Sequence, residues 1–97
     1  MLCAHDLNLV ADSYFALGKV QQAVGKLDQA AVLFDRCLST RRAALGSRHP
    51  LVADALYGIG SVHNMQSNIK AAYDAFQDSL KIRLAVFGKD NAAVLER

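Results

Sequence analysis

Leu9-Val10-Ala11-Asp12 returns as Leu51-Val52-Ala53-Asp54, 42 positions further along a 97-residue chain. The same offset, without a gap, carries Gly18 to Gly60, Val20 to Val62, Ala30 to Ala72 and Phe34 to Phe76. It also carries Leu38 to Leu80, Arg41 to Arg83, Ala43 to Ala85 and Gly46 to Gly88, so segments 9–46 and 51–88 share 12 identities. A single offset held over that span is a tandem repeat. Each unit of such a repeat leaves an apolar face that only a neighbour can cover.

Within each unit the apolar residues recur at helical spacing. In the second, Pro50 suits the first turn of a helix, where its missing N–H costs nothing. Leu56, Ile59, Val62 and His63 follow on that helix. Asn64 to Asn68 reads as a turn, and Ile69, Ala72, Tyr73, Phe76, Leu80 and Leu84 mark the inner face of a second helix that Gly88 ends. In the first unit the helices are expected at about 7–23 and 27–45, with Gly25 in the turn and Gly46 at the end. Gly18 and Gly60 fall inside helices, where glycine costs about 1 kcal/mol relative to alanine. Close helix contact opposite Ala30 and Ala72, with Phe34 and Phe76 filling the gap alongside, offsets that cost.

The reading is therefore all-α, one domain over 1–97: repeat 1 at about 7–46, repeat 2 at about 49–88, and the start of a third helix pair in 89–97. That last segment is expected because Gly88-Lys89-Asp90-Asn91-Ala92-Ala93-Val94 follows the pattern of Gly46-Ser47-Arg48-His49-Pro50-Leu51-Val52. Both ends read as cuts through a longer array.

Composition agrees and narrows the function. Hydrophobic residues make up 53%, and Pro50 is the one proline, which leaves room for long helices. A net charge of +2 is too weak to argue for a nucleic-acid or membrane partner. No apolar run of roughly 18 residues is present to span a bilayer. The first residues lack the basic and apolar regions of a signal peptide. Cys3 and Cys37 make no disulfide framework, and reduced thiols in the cytoplasm are expected.

Tyr14-x-x-Leu17-Gly18-x-x-Gln21 before Ala30-x-x-x-Phe34, and Leu56-x-x-Ile59-Gly60-x-x-His63 before Ala72-x-x-x-Phe76, resemble the tetratricopeptide repeat. The usual period of that family is about 34 residues. The 42-residue period, with Leu45-Gly46-x-x-His49-Pro50 between units, resembles the longer repeats of kinesin light chains and related scaffold proteins. Gly25-Lys26-Leu27-Asp28-Gln29-Ala30 resembles their turn. Gly18-Lys19-Val20-Gln21-Gln22-Ala23 resembles it too, seven residues early, but that register breaks the 42-residue offset; a helix ending near Leu17 would restore it.

The resemblance implies a right-handed superhelical solenoid of antiparallel helix pairs. It also implies a non-catalytic module that binds a peptide or protein partner in its concave groove. The first helix of each pair lines that groove, which makes Phe15, Lys19, Gln22, Tyr57, Ser61 and Asn64 the candidate binding residues. Phe15 and Tyr57 occupy the same place in successive units; they meet either a bound side chain or the neighbouring repeat. The Asn-Asn pair usual in this helix of the kinesin-light-chain pattern is replaced by Phe15-Ala16 and Tyr57-Gly58. The alternative role is structural, a segment that self-associates through exposed repeat ends or stacks within a larger scaffold.

Catalytic and metal chemistry find no motif. His5, His49 and His63 lack ligand spacing, and no cysteine pair accompanies them. His49 is expected at a helix entry and His63 in packing. Cys37 has no base placed beside it and reads as an inert packing residue. Arg36, Arg41, Arg42 and Arg48, echoed by Lys81 and Arg83, read as favourable charge near helix C-termini on a solvated face. No cofactor is expected.

Overall fold

The computed structural model describes residues 3–95, with side chains for Cys3 and residues 5–88. Four helices follow in order, α1 Ala4–Ala23, α2 Leu27–Leu45, α3 Pro50–Met65 and α4 Ile69–Leu95. No strand occurs among the described residues. α1 pairs with α2 and α3 with α4; α2 then packs on α3 to join the pairs. α1 also touches α3, whereas α2 and α4 do not meet among the described residues. The first helices of the two pairs thus stand side by side. The array is a slab 42 × 39 × 17 Å across its Cα atoms.

The two units are built alike down to their turns. Gly25 (φ 87°) and Ser67 (φ 65°) lie 42 residues apart and both take the left-handed conformation. Lys26 N–H donates to the Gln21 carbonyl (2.8 Å) and Gly25 N–H to Gln22 (3.1 Å). Asn68 donates to His63 (2.8 Å) and Ser67 to Asn64 (3.0 Å) in the same way. Each pair is a Schellman closure that satisfies the last carbonyls of the helix. α1 runs to Ala23 rather than stopping near Leu17, so the 42-residue register holds.

The join between units is made by Gly46, His49 and Pro50. Gly46 takes φ 85°, His49 is extended, and the His49 imidazole Nδ1 accepts from Leu51 N–H at 3.1 Å as the N-cap of α3. The second join differs from the expectation. α4 does not end at Gly88 to begin a third helix; it continues as one helix to Leu95. The position matching Pro50 is Ala92, so no proline ring opposes the helical turn and no preceding residue is driven extended. Residues 96–97 of the expected third unit lie outside the described residues.

The helix glycines work through the phenylalanines. A Cβ on Gly18 would lie 2.8 Å from the Phe34 ring, one on Gly60 2.7 Å from Phe76, and one on Gly58 3.0 Å from Phe34. The expected partners Ala30 and Ala72 are buried one turn away. The glycines therefore face the rings themselves, and Phe34, 1% exposed, is clasped between both helix pairs. Ala11, Cys37, Leu38, Val52, Ala55 and Leu56 form the other part of the core.

Candidate functional site

α1 and α3 share a surface. Gln22 Nε2 donates to Ser61 Oγ at 2.7 Å and approaches Met65 Sδ at 3.2 Å, tying the two helices together. Lys19 stands one turn before Gln22, and Asn64 follows Ser61. Both are exposed. Four of the six candidates, Lys19, Gln22, Ser61 and Asn64, are thus brought to one surface.

The aromatic pair divides. Phe15 is half-buried, its ring centroid 5.6 Å from Phe34 and its side chain packed against both core clusters. Arg41 lies 4.9 Å and Lys19 5.4 Å from its centroid. Tyr57 repeats that placement on Phe76 at 5.1 Å, with Arg83 at 6.0 Å, but stays 56% exposed. The difference arises because α3 covers the first site. Gly58, next to Tyr57, is buried where α3 meets Phe34.

Sequence reasoning missed an ion pair that recurs with the repeat. Arg41 Nη2 meets Asp12 Oδ1 at 3.2 Å, and Arg83 Nη2 meets Asp54 Oδ1 at 2.7 Å. Arg41 also donates Nη1 to the Leu51 carbonyl at 2.8 Å, and its side chain is only 4% exposed. It is a buried strut at the joint of the units, not part of a solvated basic face. The signal was present: Asp12 and Arg41 are both among the positions repeated at the offset, with opposite charge. Because arginines hold Asp12 and Asp54, Lys19 is the cation on this surface without a carboxylate partner among the described residues.

Cys37 is buried, and burial pushes its thiol above the ordinary range, with the Arg41 guanidinium opposing part of that rise. A thiol held protonated in a packed core is a poor nucleophile. Its counterpart Ser79 donates to the Ala53 carbonyl at 2.9 Å. His63 is half-buried on α3. Among the described residues no three His, Cys, Asp or Glu side chains converge on a metal position, and no helix is long and apolar enough to cross a membrane.

Helix pairs in tandem, joined by packing the second helix of one pair on the first helix of the next, define an α-solenoid, a class that presents extended concave surfaces to its ligands. The family model for the tetratricopeptide repeat matches residues 5–85, and the chain belongs to that family of protein-interaction repeats. It is also similar to human nephrocystin-3, 38% identical over 58 residues. That match covers 60% of this chain and 4% of the human protein, so the chain corresponds to a small part of its relative.

Proposed function

We propose that the concave surface of α1 and α3 binds an extended peptide segment of a protein partner, without catalysis. The observation that carries this reading is the Gln22–Ser61 bond, which draws α1 and α3 into one continuous surface. On it Tyr57 and Met65 are each about half exposed, which suits apolar side chains of a ligand. Lys19, unopposed by a carboxylate, suits an acidic side chain or a terminal carboxylate, and the exposed Asn64 amide suits a peptide bond. Phe15 contributes by holding Lys19 in place over its ring rather than by broad contact of its own. The 42-residue unit resembles the kinesin-light-chain type of scaffold repeat, and free Cys3 and Cys37 suit a cytoplasmic setting.

The test is a peptide-library selection on the purified chain beside a Lys19→Glu/Tyr57→Ala/Asn64→Ala variant. All three positions are exposed, so the variant keeps its core. Enrichment of a shared motif by the wild type and its loss in the variant is the expected result. No enrichment, or equal binding by both, would overturn the reading.

A further inference from the structure

The seam between the two units shows what the outer faces of the array are shaped to hold. On the α3 side of that seam Val52, Ala55 and Val62 are fully buried, with Ile59 packed beside them. Forty-two residues earlier on α1 stand Val10, Ser13, Val20 and Leu17, and Leu17 and Val20 are 52% and 57% exposed. Two of the four residues are identical, Leu17 is an isomer of Ile59, and the Ser13 hydroxyl is already satisfied by the Leu9 carbonyl at 3.1 Å.

The α2 side of the seam has its echo on α4. Leu38 is 9% exposed, and its counterpart Leu80 is 52% exposed. Arg41 is sealed by α3, whereas Arg83 is 44% exposed while already held by Asp54 in the same geometry. Tyr57, Phe76, Ser79, Leu80 and Arg83 line an open cavity of about 280 Å³. Their counterparts Phe15, Phe34, Cys37, Leu38 and Arg41 line the place that α3 fills in the first unit.

We propose that this chain binds a second copy of itself head to tail, α1 of one copy covering α4 of the next as α3 covers α2 within the chain. Leu17 and Val20 enter the Tyr57–Phe76–Leu80 cavity, and Arg83 turns its remaining donors toward the α1 backbone, as Arg41 does toward Leu51. The occupant is a second copy because α1 carries the seam residues at the spacing the cavity requires. The two faces differ from each other, so the contact is heterologous and leaves a free face at each end of every assembly. The two readings share Tyr57, and the Leu17, Val20 and Leu80 substitutions that test this one leave the proposed groove residues Lys19, Gln22, Ser61 and Asn64 unchanged.

Sedimentation velocity on the 97-residue chain tests it, with Leu17→Glu/Val20→Glu and Leu80→Glu variants checked for helicity by circular dichroism. The wild type is expected to gain mass steadily with concentration, without settling at one stoichiometry. Each variant alone is expected to be monomeric, and an equimolar mixture to form a one-to-one dimer through the two intact faces. A wild type that stays monomeric to millimolar concentration overturns the proposal and assigns the faces to a different repeat. Dimers in either variant alone, or a mixture that stays monomeric, overturn it as well. Should a glutamate variant lose helicity, the wild-type concentration series decides by itself.

Discussion

Replacing Gly18 with alanine sets two opposing effects of known size against each other. Alanine in a helix interior gains about 1 kcal/mol over glycine. The added Cβ would sit 2.8 Å from the Phe34 ring, closer than carbon atoms pack, and overfilling a packed core costs about 1–3 kcal/mol. Phe34 cannot withdraw. It is 1% exposed, and on its other side a Cβ at Gly58 would already stand at 3.0 Å. The clash should therefore lie at the upper end of that range, leaving a net loss of about 1–2 kcal/mol. For a domain of this size that corresponds to a fall in Tm of roughly 5–15 °C. Gly60→Ala meets Phe76 at 2.7 Å, nominally the worse clash, yet Phe76 is half-buried and borders the open cavity, so its ring can swing. Its net effect should fall within about 1 kcal/mol of zero. Thermal and urea unfolding followed at 222 nm measures both. A Phe34→Leu background removes the ring and should turn Gly18→Ala neutral or stabilising, a coupling of about 1 kcal/mol or more. The reasoning is refuted if Gly18→Ala matches the wild type, or if its cost is unchanged in that background.

Ser67→Gly should raise stability by about 0.5–1 kcal/mol, because Ser67 holds the left-handed φ that Gly25 adopts without strain in the first unit; a lower urea midpoint would contradict this. Arg41→Met should cost about 1–3 kcal/mol, since it removes a buried donor to the Leu51 carbonyl, and Arg83→Met less than about 0.5 kcal/mol, since its ion pair is exposed. Equal losses in chemical denaturation would count against the strut. Burial raises the Cys37 thiol above its unfolded value, so on raising pH the unfolded chain releases its proton first. The folded state then loses stability as pH climbs above about 8.5, the ordinary thiol value, until the folded thiol ionises as well. Cys37→Ser should flatten that part of a Tm-against-pH profile while leaving the fold intact, as Ser79 does at the matching position by donating to Ala53.

Much of this architecture is legible because repetition writes each feature twice. The start of α3 follows from Pro50 and the bounds of α2 from Gly25 and Gly46, and the 42-residue offset decides between two possible turns. The same offset misleads at Gly88. Glycine permits a break but does not compel one, and the residue that compels it in the first unit, Pro50, has no proline at 92. The Asp12–Arg41 pair escaped for a different reason: its members are 29 residues apart on different helices, beyond the reach of helical periodicity. Phe15 and Tyr57 are equivalent in sequence and unequal in exposure, because exposure depends on which neighbour covers each and not on the residue itself.

Every helix of the slab leans mainly on the helix next to it in the chain; beyond those neighbours, among the described residues, only α1 and α3 touch. Amide protection in such a molecule is graded along its length. The backbone of α2 and α3, flanked on both sides, exchanges slowest, while α1 and α4 open in smaller excursions that leave the middle standing. Damage at one end is then a local loss of order and not a collapse of the whole, and a fault in the array stays close to the place where it arose.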